Sequence, residues 1–264
     1  MSALIRIGVL VSGGGTNLQA ILDACAAGRI DGHVVFVGSD NPSAFGLERA
    51  NRFCTATFVV DYSAILNDLK QNPDFTPPAD YDPADALAKH RLANGHADPE
   101  KAAVFLKRRA FIEARLLEKM AARPFDLLVL AGFMRTLSPY FIDRVNTDKS
   151  RPRIINIHPS LLPAFAGLDG YGDTFRYGCK VAGCTVHFVD YGADTGPIIA
   201  QKAFPIEPQD TLESVKAKGL ELEWEIYPHC IQLFAQKRLR MEPCSLCPAD
   251  HRRRRRVVRI LDPA

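Results

Sequence analysis

No stretch of this 264-residue chain approaches the roughly 18 consecutive apolar residues of a membrane span. The opening Met1-Ser2-Ala3-Leu4-Ile5-Arg6 enters a strand pattern without the order of a signal peptide, so a soluble cytoplasmic protein is expected. Charge of one sign is also scarce. The formal net charge is +3, and much of it falls in the run from Arg252 to Arg256 plus Arg259. The body is therefore near neutral and carries no nucleic-acid footprint spread over it. Seven cysteines, an odd number at irregular spacing, do not make a disulfide framework. Cys244-Ser-Leu-Cys247 has metal-like spacing but no second pair, only His251 nearby, so ordinary thiols and no metal are expected. Internal repeats and heptads are absent too.

With 47% hydrophobic residues the chain can bury a substantial core. Arg6-Ile-Gly-Val-Leu-Val11 reads as a strand, followed by the glycine-rich Ser12-Gly13-Gly14-Gly15-Thr16-Asn17 and a helical pattern at Leu18, Ile21, Leu22 and Cys25. The unit recurs at 34–39 with a helix over 44–53, and 56–60 supplies a third strand. A long helix is expected over about 101–122, buried strands at 125–131 and 153–158, two antiparallel strands at 181–189 and 197–204, and a closing helix over 211–235. Alternating strands and helices predict an α/β, doubly wound, mostly parallel sheet of Rossmann-like form, with antiparallel strands in the C-terminal half. Pro73, Pro77, Pro78, Pro83 and Pro99 interrupt the rhythm, so about 72–100 reads as a surface insertion with a short helix around 84–92. Residues 1–242 form the expected domain, divided near 125, and 243–264 a Cys/Arg-rich, solvated tail.

The chemistry concentrates where Ile154-Ile155-Asn156-Ile157-His158-Pro159 ends. Strand alternation puts Asn156 and His158 on one face and Ile155 and Ile157 on the other, and Pro159 stops the strand at its carboxyl end, where open α/β sheets bind ligands. Gly192-Ala193-Asp194-Thr195-Gly196-Pro197 adds a carboxylate, which alone reads first as an ordinary surface-turn Asp and gains weight beside Asn156 and His158. Amide, imidazole and carboxylate together suit attack on a carbonyl carbon. The loop 12–17 suits phosphate at a helix N-terminus, although it lacks the Lys of a P-loop and could merely cap the helix. His187 reads as a strand residue with a structural hydrogen bond. Ser160 lacks the Gly-x-Ser-x-Gly elbow of a hydrolase nucleophile.

Four segments, 9–20, 128–138, 155–163 and 183–198, resemble the phosphoribosylglycinamide formyltransferases of purine biosynthesis, within the wider family that uses 10-formyltetrahydrofolate. The resemblance implies transfer of a formyl group from 10-formyltetrahydrofolate, as co-substrate, to the amine of glycinamide ribonucleotide. Gly15, Thr16 and Asn17 would hold the substrate phosphate, and Asn156, His158 and Asp194 would be catalytic. Arg108, Met134, Arg135, Thr136 and Leu137 would meet the folate, and Glu223 the glycinamide part. Small-molecule partners are implied, without membrane or nucleic acid, and a homodimer is left open.

The proline-rich insertion departs from the family pattern. So does Ala164-Phe-Ala-Gly-Leu-Asp-Gly-Tyr-Gly-Asp173, which leaves the shape of that loop open. Two readings compete. Formyltetrahydrofolate deformylases pass the same group to water, but tend to have a second histidine where this chain has Pro159, and carry an N-terminal regulatory domain for which a first strand beginning by residue 5 leaves no room. A non-catalytic folate- or nucleotide-binding homologue would retain the pockets alone. Methionyl-tRNA formyltransferases add a C-terminal tRNA-binding domain that a short arginine run does not replace.

Overall fold

The computed structural model describes residues 4–72, 74–91, 98–244 and 256–263. Seven strands form one sheet: β1 (Ile5–Val11), β2 (Gly32–Ser39), β3 (Thr57–Val59), β4 (Leu127–Leu130), β5 (Ile154–His158), β6 (Val181–Phe188) and β7 (Ile198–Pro205). Their order is β3-β2-β1-β4-β5-β6-β7, parallel from β3 to β5 and antiparallel across β5–β6 and β6–β7. This is the doubly wound, mostly parallel arrangement expected of the alternating pattern.

The strands in the middle of the sheet are apolar on both faces because both faces are covered. On one side Ile7, Val9, Ile155 and Ile157 pack with α1 (Thr16–Ala26) and α8 (Leu212–Ala235). On the other, Leu10, Leu128, Leu130 and Ile154 pack with Ile112 and Leu116 of α5 (Pro99–Ala121) and with Phe141 and Ile142 of α6 (Pro139–Val145). Buried Tyr227 of α8 stitches helix to sheet, its hydroxyl donating to the carbonyls of Leu130 at 3.0 Å and Ile155 at 3.1 Å. The remaining helix of the opening repeats is α2 (Phe45–Arg52).

Three helices were not anticipated. α3 (Tyr62–Gln71) starts from Asp61, whose carboxylate accepts from the Ala64 amide, and its apolar positions 62, 65, 66 and 69 fit a helical face. α6 begins with Pro139, favoured at a first helical position. α7 (Gly170–Arg176) starts on a glycine and holds another, Gly172, so propensity argues against it. Packing overrides that: Tyr171 lies against Gly219 of α8, where an added Cβ would sit 2.2 Å from the ring.

Within the proline-rich segment α4 (Pro83–Lys89) forms, with Asp82 capping the Ala84 and Asp85 amides, and it packs on α5 and α6. Beyond α8, β8 (Leu239–Pro243) pairs with β9 (Arg256–Ile260). Residues 256–260 thus form a strand where a solvated tail was expected. The remainder of the arginine run, with Cys247 and His251, lies outside the described residues. The hairpin faces a cleft that also includes Ile5, Asp126 and Arg153, at the amino ends of β1, β4 and β5.

A buried carboxylate joins α5 to α6. Glu113 is fully buried and accepts from the Ser138 amide at 2.9 Å and from the Ser138 hydroxyl. Burial raises its carboxyl to about 7, against the Ser138 bonds and the Arg109 charge, which lower it. Between about 4.5 and 7 the folded protein therefore holds a proton that the unfolded chain releases. Its contribution to stability is fully present below that window, falls as pH rises through it, and levels off above it, by on the order of 3 kcal/mol. Glu113→Gln cannot ionise, so its unfolding free energy should decline less than the parent's across this window in denaturant titrations. Parallel declines would contradict the assignment.

Candidate active site

Three stretches at the carboxyl side of the parallel strands build the site. The first is the turn between β1 and α1. Gly15 has φ 69°, and a Cβ there would lie 2.7 Å from the Gly46 Cα, so glycine is required on both counts. Gly13 and Gly14 have nothing within 4 Å of where a Cβ would be, leaving the backbone open to a ligand. α1 receives no side-chain cap and has no acidic residue in its first turn. Its leading amides and positive dipole end are therefore available to an anion. Arg49 of α2 donates to the Gly14 carbonyl at 2.8 Å and brings a cation to the same loop, a contribution that sequence spacing does not reveal.

The second stretch is the end of β5. Asn156 pairs across the sheet with His187 and His158 with Thr185. Residues 189–197 fold back over this face and bring Asp194 Oδ2 to 3.3 Å from His158 Nδ1. Asp194 adopts φ 54°, a left-handed conformation that Asp tolerates better than most residues. The expected amide, imidazole and carboxylate do converge.

His187 belongs with them. Its Nδ1 lies 2.9 Å from the Phe188 carbonyl, which can only accept, so Nδ1 carries the proton and Nε2 is bare in the neutral ring. Burial holds His187 below the usual histidine range, opposed by that hydrogen bond and by the Asp194 charge. Its bare Nε2 is 3.3 Å from Asn156 Nδ2 and 3.7 Å from Asp194 Oδ1. The Asn156 amide is thereby oriented through one N–H, and the other can serve a ligand. The structural bond expected for His187 exists, and the same ring also faces the site.

His158 is 3% exposed, with Nε2 2.9 Å from the Phe165 carbonyl and Nδ1 facing Asp194. Phe165, with φ 53°, belongs to the loop whose shape the sequence left open. That loop reaches Asp194 as well, through the Gly167 amide at 3.2 Å. The start of α7 is equally close: a Cβ on Gly170 would stand 2.5 Å from the Pro159 carbonyl and 3.2 Å from His158 Nε2. Ser160 is fully buried, and its hydroxyl donates to the Ala164 carbonyl at 2.6 Å, which is a structural role.

The third stretch is Glu223 on α8, 5% exposed. Asn17 Nδ2 donates to one of its oxygens at 2.7 Å and the Tyr171 hydroxyl to the other at 2.8 Å. Burial raises its carboxyl above the usual range, while both hydrogen bonds and the charge of His158 act the other way. Asn17 therefore joins the phosphate-type loop to this carboxylate. Tyr171, missed in the sequence because α7 was missed, fixes its second oxygen.

The residues matched to a folate pocket divide. Met134 and Thr136 are exposed at the surface, whereas the Leu137 side chain is 4% exposed and packed in the core, so a ligand could meet only its backbone. Arg135 Nε donates to Asp40 Oδ2 at 2.5 Å, and its guanidinium lies 5.4 Å from the Tyr62 ring centre. Arg109 also lies over that ring, at 5.8 Å. Arg108 and Arg109 line a pocket of about 670 Å³ with Leu66, Val104 and Phe105, and Arg108 Nε has no partner among the described residues. Of the two arginines, Arg109 is the one tied through Tyr62 to Arg135.

Comparisons with known proteins give the family. The family described as formyl transferase matches residues 5–231. A phosphoribosylglycinamide formyltransferase of Haemophilus influenzae is 35% identical over 90% of this chain and 90% of its own length. The Escherichia coli protein of the same name gives the same identity and coverage. Among solved structures, glycinamide ribonucleotide transformylase 1 from Symbiobacterium toebii aligns at 39% identity with a TM-score of 0.72, covering 99% of this chain and 96% of that one.

Proposed function

Because this chain belongs to the formyl transferase family, we propose that it moves the formyl group of 10-formyltetrahydrofolate to the amine of glycinamide ribonucleotide, a step of de novo purine biosynthesis. One observation supports this acceptor above others. The Asn17–Glu223 hydrogen bond places an anion-binding helix end and a buried carboxylate side by side, next to the Asn156, His158 and Asp194 cluster. A molecule with a phosphate at one end and an amine at the other is complementary to that sequence of groups.

Each group then has a task. Helix α1 and Gly15, Thr16 and Asn17 hold the phosphate, and Glu223 receives the glycinamide amine. The amine nitrogen attacks the formyl carbon, and the carbonyl electron pair moves onto oxygen. That oxyanion meets the second N–H of Asn156 and, where the formyl oxygen takes the place of the Phe165 carbonyl, the Nε2–H of His158, charge-stabilising donors that gain strength away from water. On collapse the C–N10 bond breaks. The proton lost by the amine is routed by His158 and Asp194 to the departing N10, giving the formylated ribonucleotide and tetrahydrofolate. Arg135, Met134, Thr136 and the backbone at Leu137 hold the folate, with Arg108 and Arg109 at its side.

The site is made for an amine rather than for water. Hydrolysis needs no phosphate site and no buried carboxylate joined to one. Among the described residues no helix is long and apolar enough to cross a membrane, and we place the enzyme in the cytoplasm, acting on small molecules. The test is an assay of formyl-folate consumption with and without glycinamide ribonucleotide. Consumption should require the ribonucleotide and yield its formylated product in equal amount. Equal consumption in its absence would make the protein a hydrolase, and binding without turnover a silent homologue.

A further inference from the structure

Asp194 stands on a turn, residues 189–197, that leaves the sheet where the Val189 amide donates to the Ile154 carbonyl, and returns over the face to His158. The inside of the turn is held by Asp190, which accepts from the Gly192 amide at 3.1 Å and the Thr195 hydroxyl at 2.6 Å. The outside is held by α4 and the residues that follow it. The Tyr191 hydroxyl donates to Asp143 Oδ1 of α6 at 2.5 Å, and Asp143 Oδ2 accepts from Lys89 Nζ of α4 at 2.6 Å. Lys89 also reaches Asp85 at 2.5 Å, and its ammonium stands 5.9 Å from the Tyr191 ring centre. The Tyr191 carbonyl accepts from the Arg91 amide at 3.2 Å.

These contacts are not loose surface pairs. The Lys89 and Asp143 side chains are 25% and 23% exposed, so their pairing is less screened than that of fully solvated charges. The same segment is fastened to α6 again, where Asp80 accepts from Arg144 Nε at 2.9 Å and from the Tyr140 hydroxyl at 3.2 Å. A chain of polar contacts therefore runs from α4 through Asp143 to Tyr191, three residues before the catalytic carboxylate.

We propose that the proline-rich segment is a brace for the catalytic turn, with Lys89, Asp143 and Tyr191 as positioning residues that set the rate of formyl transfer by holding Asp194 towards His158. The proposal rests on the assignment of Asp194 to the reaction. A turn that is not braced samples orientations in which the carboxylate no longer faces His158, and the fraction of productive complexes falls. Binding of the ribonucleotide is carried by the phosphate loop and Glu223 and should be spared.

Tyr191→Phe and Lys89→Met in the full chain, alone and together, test this through kcat, the KM for both substrates and thermal melting. Each should lower kcat by roughly five- to twentyfold, below the ~100-fold that a misplacement of about 1 Å costs, with the KM for glycinamide ribonucleotide within about twofold of the parent. The double variant should be little worse than the weaker single one, because both act through the same carboxylate and effects within one network do not add. Lys89→Arg, which keeps the charge, should recover most of the loss. Single variants with kcat within about twofold of the parent would overturn the brace, as would rate losses that multiply. Asp194→Asn separates the two failures. If it loses turnover while Tyr191→Phe and Lys89→Met do not, the brace alone is wrong; if it keeps turnover, the assignment of Asp194 falls and the brace with it.

Discussion

Asn156→Ala is expected to lower kcat by roughly two to three orders of magnitude, because an oriented oxyanion donor contributes about 3 to 4 kcal/mol at the transition state and much less in the ground state. The donor is already aimed before substrate arrives. His187 presents a bare Nε2 because its other nitrogen is committed to the Phe188 carbonyl, and that bare nitrogen takes one Asn156 N–H at 3.3 Å. Little reorientation is then needed as charge develops. The loss should appear in kcat with KM for glycinamide ribonucleotide little changed, since the phosphate loop and Glu223 are untouched. Steady-state kinetics at saturating concentrations of both substrates checks this. Near-normal turnover would remove Asn156 from the chemistry.

Asp194→Asn should cost a comparable factor, about 100- to 1,000-fold in kcat, by removing charge while keeping shape. The choice of substitution matters here. Asp194 has φ 54°, a conformation that Asn also tolerates, so the variant keeps the turn where alanine would add backbone strain. The amide can still accept from the Gly167 N–H through its oxygen, but it no longer carries the negative charge that faces His158 and His187. Proton transfer to N10 should slow while folate binding persists. Turnover with unchanged melting temperature reads this directly, and retention of full activity would show that the carboxylate is a turn residue and nothing more.

Much of this site was legible in residues. The strand, glycine loop and helix at 5–26 announced themselves through apolar runs and glycine, and alternation alone put Asn156 and His158 on one face of β5. Asp194 was legible as a candidate but not as a partner, since its approach depends on a turn folding across the sheet. His187 reads as structural in the sequence because a strand histidine offers no sign of what lies across the ladder; the register with Asn156 supplies it. α7 could not be read at all. Gly170 and Gly172 lower helix propensity, and contacts from elsewhere in the fold, Tyr171 against Gly219 and its hydroxyl on Glu223, favour the helix there. α3 and α6 were legible in principle, through the Asp61 cap and Ser138-Pro139, and were obscured by the prolines nearby. The neighbouring arginines 108 and 109 show the limit of matching by short segments, where a shift of one residue changes which guanidinium shares Tyr62 with Arg135.

The β8–β9 hairpin has a practical consequence for handling the enzyme. It sits beside Ile5, Asp126 and Arg153, at the rim of the sheet where the parallel strands begin, while Asn156 and His158 stand towards the rim where they end. Arg256 is anchored there through the Lys149 carbonyl, and the Leu261 amide and carbonyl bond back to Arg238. A tether or fusion partner joined beyond β9 would hang from the far rim, so an immobilised form would keep its substrate mouth turned towards the solution.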